Sequence, residues 1–327
     1  MIDLHLHFDG SLLPRTILEL AREQQIELPA EEPDELKLFL AAPEDCGSLN
    51  EYLEKFDLPL LVLQTKEAIR KGMYTLLCSL KEQGMLYAEV RFAPQSHLRK
   101  GLTQEEVVKA AVLGMQEALA GSFFQAKLIL CCMRGGDNPE ANKKTIQIAG
   151  SYLGRGVAAI DLAGAEALFP TADYEELFVY ARSLSVPFTI HAGEAGGPES
   201  IRAALSFGAA RIGHGVRARE DEEVLALLRE RGIPLEMCPT SNVQTKAVGS
   251  IRKHPILDYL RSGLRVTLNT DNMTVSDTTI EREYSRLARE LGMTKEEHRQ
   301  LLYHAVDAAF LTEEERGRMK DVIGRIV

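Results

Sequence analysis

No segment of this 327-residue chain is long and apolar enough to span a bilayer. Its start, Met1-Ile2-Asp3-Leu4-His5, lacks the basic and apolar regions of a signal peptide. Basic residues are in the minority: 38 Lys and Arg stand against 48 Asp and Glu, a formal charge of −10, with no Lys/Arg stripe. Nucleic-acid backbones and anionic membranes are therefore not expected partners, although a small neutral ligand is unaffected by this argument. Cys46, Cys78, Cys131, Cys132 and Cys238 are odd in number, widely spaced and without a C-x-x-C. Reduced thiols in a cytoplasm are expected, and a thiolate zinc site is not. No G-x-G-x-x-G follows an apolar run, which weakens a dinucleotide-binding reading. Repeats, low-complexity tracts and long linkers are also missing.

What is present is an alternation. Eight short apolar runs occur at Ile2–His7, Leu86–Phe92, Ala126–Cys132, Val157–Leu162, Val186–His191, Ala209–Gly213, Ile233–Cys238 and Leu264–Thr270. From the third onward they recur at roughly 20–30 residues, the length of a βα unit. Thr103-Gln104-Glu105-Glu106 predicts a helix start with a capping box, and Asp173-Tyr174-Glu175-Glu176 a weaker one. The pattern predicts an α/β fold, a (β/α)₈ TIM-type barrel forming one unit over 1–327; an open doubly wound sheet is the alternative. The stretch 11–84 exceeds one βα unit. It reads as a helical insertion after strand 1, with helices over Pro14–Gln24, Leu49–Leu63 and Lys66–Gln83 that cover one end of the barrel.

Four polar signals fall at the C-terminal ends of predicted strands, where barrel active sites form. In His5-Leu6-His7 the strand alternation turns both imidazoles inward and Leu4 and Leu6 outward. Alone, the pair also fits hydrogen-bonded surface histidines. In His191-Ala192-Gly193-Glu194 the histidine can complete a metal site while the carboxylate reaches a substrate; a helix start with Glu194 favouring the macrodipole fits as well. Gly213-His214-Gly215 leaves His214 without bulky neighbours, as would a tight turn. Along strand 8, Thr267, Asn269 and Asp271 share the inward face; an ordinary Asx turn is the other reading. These ends belong to strands 1, 5, 6 and 8, which converge in a closed barrel. Three histidines and an aspartate then make a zinc site with a position left for water. His97, His254, His298 and His304 read as surface or structural residues.

The chain resembles the adenosine deaminase family of amidohydrolases. The likeness rests on His5-Leu6-His7-Phe8-Asp9-Gly10-Ser11, Tyr87-Ala88-Glu89-Val90-Arg91-Phe92-Ala93-Pro94, Asp161-Leu162-Ala163-Gly164, His191-Ala192-Gly193-Glu194, Gly213-His214-Gly215 and Asn269-Thr270-Asp271. The resemblance implies that His5, His7, His191 and Asp271 hold one zinc per chain, which activates a water near neutral pH. It implies that Asp271 and His214 orient that nucleophile toward C6 of a purine and that a neutral Glu194 donates to N1. It further places His7 and Asp9 against the substrate, Asp9 at the ribose hydroxyl, and the Gly164 backbone N–H at N3. A carboxylate near the 5′ position favours a nucleoside over a nucleotide.

Two positions depart from the family pattern. Asn272 stands where many members have a second aspartate; its NH₂ can donate to N7 directly, which alters preference among purine analogues. Ala165 replaces an acidic residue after the glycine, with little expected effect. The implied reaction is hydrolysis of adenosine and 2′-deoxyadenosine to the inosines and ammonia. Adenine, a 5′-modified adenosine or aminofutalosine are the alternative substrates. Other zinc deaminases need H-x-E with P-C-x-x-C, and two-metal amidohydrolases often use a strand-4 lysine; Val157–Leu162 has none. A binding protein on a dead scaffold is the rival of another class. Oligomeric state is not legible.

Overall fold

The computed structural model describes residues 1–43 and 46–326. The predicted insertion and the predicted unit 1–327 therefore run across residues 44, 45 and 327, which lie outside the described residues. The strands are β1 (Ile2–His7), β2 (Tyr87–Phe92), β3 (Gln125–Met133), β4 (Val157–Ala163), β5 (Thr189–Ala192), β6 (Arg211–His214), β7 (Leu235–Met237) and β8 (Val266–Leu268). Each coincides with one of the apolar runs. Strand β5 starts later than expected because Pro187 has no N–H to give to a ladder.

All pairings are parallel, in the orders β1-β2-β3-β4 and β5-β6-β7-β8. Bridges join the two halves at both seams: Ile160 with Phe188, and Leu6 with Asp271. At the second seam His7 N–H donates to Asp271 O (2.7 Å) and Asp271 N–H to His5 O (2.8 Å). The strands thus return on themselves, as a (β/α)₈ barrel requires and an open sheet does not.

The helices are α1 (Pro14–Gln24), α2 (Pro33–Leu40), α3 (Leu49–Leu53), α4 (Asp57–Val62), α5 (Lys66–Glu82), α6 (Gln104–Leu119), α7 (Pro139–Tyr152), α8 (Glu175–Ser183), α9 (Pro198–Phe207), α10 (Glu222–Arg231), α11 (Pro239–Gln244), α12 (Ile256–Arg261), α13 (Ile280–Leu291), α14 (Lys295–Ala308) and α15 (Glu313–Ile326). The insertion departs from expectation twice. Helix α2, opened by Pro33 and burying Leu36 and Leu40, was not foreseen. The expected helix Leu49–Leu63 is broken by a 3₁₀ turn at Glu54–Phe56. Pro59 accounts for the break, since in a continuous helix its ring would collide with the carbonyl of Lys55. The Thr103–Glu106 capping box forms, with Glu106 Oε2 accepting from Thr103 N–H at 2.9 Å. The Asp173 box does not; a 3₁₀ turn at Thr171–Tyr174 precedes α8 and no side chain caps it.

Alternation sorts β1 cleanly. Ile2, Leu4 and Leu6 join the apolar layer beneath the helices, and α14 packs over both β8 and β1. Asp3 and His5 face inward, where the barrel is filled by charge rather than by aliphatic layers. Glu89 Oε2 accepts from Arg211 (2.6 Å), Arg211 donates to Glu236 Oε1 (2.5 Å), Glu236 Oε2 accepts from Arg91 (2.8 Å), and Arg91 donates to Asp161 Oδ2 (2.8 Å). Every member is buried. Such a ladder survives burial because every member meets an opposite charge and the inner members meet two; deleting one partner strands another, a cost of about 3–5 kcal/mol.

Candidate active site

The upper end of this ladder carries the predicted ligands. His5 Nε2 lies 3.1 Å from His191 Nε2 and 3.6 Å from Asp271 Oδ1. His7 Nε2 lies 3.3 Å from His191 Nε2 and 3.4 Å from Asp271 Oδ1. One donor atom from each of the four residues falls within 4.8 Å of all the others. Ligand atoms around one zinc, with Zn–N of roughly 2.0–2.1 Å, are separated by about 3.3 Å, so the donor set fits a divalent cation. Its chemistry fits as well. Burial, with Arg91 and the neighbouring imidazoles, holds His5 and His7 well below the usual histidine range, leaving lone pairs for coordination. His5 Nδ1 faces Glu236 Oε2 at 2.8 Å, which fixes that proton on Nδ1 and turns the Nε2 lone pair to the centre. Asp161 Oδ2 stands 2.8 Å from His191 Nδ1. Burial alone would lower His191, but the Asp161 charge raises it. Asp271 is itself raised by burial, and Ser241 Oγ donates to its Oδ2 at 2.6 Å.

Two of the six non-glycine residues with left-handed φ among the described residues stand in this site. His214 and Asp271 adopt left-handed φ of 61° and 63°, which is costly for residues with a side chain and is kept where the surroundings demand it. Asp271 follows β8, so its backbone both closes the barrel seam and presents the carboxylate. The Asx-turn reading is thus set aside by the pairing with Leu6.

A cavity of about 220 Å³ opens beside the ligands. His7, Asp9, Gly164, His191, Glu194, His214, Asp271 and Asn272 all line it, so every predicted site residue except His5 reaches it; His5 lies beneath with no exposed surface. Its roof is apolar, with Leu49, Tyr52, Leu53, Phe56 and Leu60 coming from the insertion. Burial raises Glu194 to about 7, so a neutral carboxyl is available near neutral pH. Asp9 is raised to about 6 by the same cause. His214 is lowered to about 4 by burial, so its ring is neutral. Gly164 has φ of 106°, a conformation that a side chain would strain, which explains glycine at this lining position. Gly10 is required for another reason: a Cβ there would sit 1.8 Å from Asn272 Oδ1.

Several residues that sequence reasoning did not single out support these groups. The side chain of Glu166 accepts from the backbone N–H groups of Gly193, Glu194, Ala195 and Gly196 at 2.7–3.0 Å, clamping the loop that carries Glu194. Asn242 and Thr245, on and just after α11, bond Glu194 Oε1. Asp57 adds a further carboxyl group to the cavity wall, besides Asp9, Glu194 and Asp271. Glu236 had a legible signal, a charge at an inward position of Leu235-Glu236-Met237; Asn242 and Glu166 had none, because no sequence period places α11 or the loop after β4 against Glu194. Cys238 Sγ also nears His214 and Asp271. Burial raises this thiol well above its usual value, and its S–H donates to Glu236 O at 3.6 Å.

A parallel (β/α)₈ barrel with three imidazoles and a carboxylate converging at the C-terminal ends of its strands, beside a protonatable acid, defines a hydrolase of the amidohydrolase class. The comparisons narrow this. The family model described as adenosine deaminase matches residues 1–326. An adenosine deaminase of Haemophilus ducreyi is 51% identical over 320 residues, covering 97% of this chain and 93% of that protein. Among solved structures, an adenine deaminase from Arthrobacter aurescens superposes with a TM-score of 0.89 at 26% identity, covering 99% of this chain and 98% of that one. An N6-methyl-AMP deaminase from Arabidopsis thaliana gives 0.85 at 26% identity, with 99% and 96% covered. The chain belongs to the adenosine deaminase family. Among the described residues, no helix is long and apolar enough to cross a membrane.

Proposed function

We propose that this enzyme hydrolyses adenosine and 2′-deoxyadenosine to inosine and 2′-deoxyinosine with release of ammonia, and that it works as one barrel unit with the insertion as its cover. The observation that carries the reading is the meeting of four ligand atoms beside a buried, protonatable Glu194 in one apolar-roofed cavity. Zinc is the ion proposed, held by His5, His7, His191 and Asp271; when bound it supplies Lewis acidity and lowers the pKa of a water toward 7.

The chain's own residues do the rest. Asp271 and His214 orient the attacking water oxygen toward C6. Glu194 gives its proton to N1 as the new C–O bond forms, so that negative charge does not build up on the ring. The C6–N bond then breaks and the amine leaves as ammonia, taking as its third hydrogen one of the two protons the attacking water brought; the other restores the proton that Glu194 gave to N1. The apolar roof from the insertion excludes bulk water and strengthens every charge interaction beneath it. Gly164 N–H is assigned to N3, Asn272 to N7, His7 to the substrate edge above the ligands and Asp9 to the ribose hydroxyl.

Two carboxylates, Asp9 and Asp57, on the cavity wall favour a neutral ribose over a phosphate, which supports nucleoside over nucleotide. A panel of adenosine, 2′-deoxyadenosine, AMP, adenine and 5′-modified adenosines, followed by ultraviolet absorbance and ammonia release, tests this. Adenosine and deoxyadenosine are expected to turn over best; preference for AMP or free adenine would refute the substrate reading.

A further inference from the structure

One buried amide outside the cavity lining touches both acid-base groups. Asn242 Nδ2 lies 3.0 Å from His214 Nδ1 and 3.3 Å from Glu194 Oε1. Asn242 Oδ1 accepts from the backbone N–H of Cys238 at 3.3 Å and faces His254 Nε2 at 3.2 Å. A backbone N–H can only donate, so the atom facing Cys238 is the oxygen and the orientation of the amide is fixed. The far end is fixed in the same way: Ile256 N–H donates to His254 Nδ1 at 3.3 Å, so His254 carries its proton on Nε2 and donates to Asn242. Two peptide N–H groups therefore set the polarity of the whole chain.

The consequences reach the substrate side. His214 Nδ1 must accept from Asn242, which leaves its proton on Nε2. Glu194 Oε1 accepts from Asn242 and from Thr245 Oγ1 (2.8 Å), so both its lone pairs are occupied. A proton on Glu194 has only Oε2 to sit on, and Oε2 lies 3.5 Å from His214 Nε2.

We propose that Asn242 is a positioning residue that assigns both protons, holding His214 as the Nε2–H tautomer and confining the acid proton of Glu194 to Oε2. His214 then donates a hydrogen bond to the attacking oxygen rather than removing its proton. When Glu194 O–H breaks and N1–H forms, Asn242 and Thr245 already donate to the carboxylate left behind. The inference rests on the reading of Glu194 as the acid.

The test is two-part. In zinc-loaded enzyme with ¹⁵N-labelled histidine, long-range ¹H–¹⁵N correlation reads each ring's tautomer, with His214 assigned by its loss in His214→Gln. A protonated Nε2 and bare Nδ1 are expected; the reverse overturns the proposal whatever the activity. Asn242→Asp replaces the donor by an acceptor. It is expected to move the His214 proton to Nδ1 and lower kcat by about 100-fold or more, with KM changed by less than about threefold and metal content kept. His254→Phe frees the amide to rotate and is expected to cost about 10-fold in kcat, which His254→Gln, still a donor, restores. Wild-type kcat in Asn242→Asp overturns the proposal. If the tautomer is as expected but no purine turns over, the functional reading fails and the proton assignment stands.

Discussion

Glu194→Gln separates catalysis from stability at one atom. The glutamine oxygen still accepts from Thr245 and Asn242, but no acid proton remains. Loss of a general acid typically costs 10²–10⁴ in rate, about 3–5 kcal/mol of barrier. Stability should move the other way. Burial raises Glu194 from 4.5 to about 7, and at ~1.4 kcal/mol per unit this is roughly 3 kcal/mol. The folded state holds the proton more tightly, so the unfolded state binds fewer protons between the two values and wild-type stability falls as pH rises through them. The variant carries no such penalty. Its advantage over wild type is expected to be absent near pH 4.5, to grow up to about pH 7, and to stay at roughly 3 kcal/mol above that. Urea midpoints with chelator present, so that metal binding does not shift the equilibrium, measure the gap, and ammonia release on zinc-loaded protein measures the rate. Wild-type turnover in the variant, or a stability gap that does not widen with pH, refutes the reasoning.

Because the acid must be neutral, kcat/KM of wild type is expected to fall as pH rises through the Glu194 value of about 7, a limb absent from the residual activity of Glu194→Gln. His5→Ala or Asp271→Ala is expected to lose stoichiometric metal, read by elemental analysis, and with it nearly all turnover. Glu166→Ala leaves four loop N–H groups without their acceptor and is expected to lower stability by about 1–3 kcal/mol and kcat more than KM, measured by thermal melts and kinetics. 7-Deazaadenosine, lacking the atom assigned to Asn272, is expected to lose about 10-fold in kcat/KM; parity with adenosine would remove Asn272 from purine recognition.

The parts of the site carried by strands were legible because alternation is a hard rule. A histidine two places from another on β1 can face only one way; Asp271 lies past β8, where its left-handed backbone rather than alternation aims the carboxylate. The eight strands were readable as short apolar runs spaced, from the third onward, at the length of a βα unit. The insertion was not, since its helices are short and their breaks depend on single residues such as Pro59 meeting Lys55. The supporting shell was least legible of all. Asn242, on α11, and Glu166, after β4, reach the Gly193–Gly196 loop and His214 across 27 to 48 positions, by chain paths that no periodicity encodes. The interior ladder lies between: Glu89, Arg91, Arg211 and Glu236 sit at inward strand positions, yet only their mutual pairing explains why charge is tolerated there.

That ladder also ties the two ends of the polypeptide to one event. Glu89 accepts from Phe310 N–H at 2.6 Å and Arg211 donates to Ala308 O at 2.8 Å, while His5 and Asp271 meet across the β1–β8 seam. Two of the four candidate ligands therefore come from the first strand and the fourth from the residues after the eighth, so the donor set is complete only where β1 and the end of β8 lie side by side.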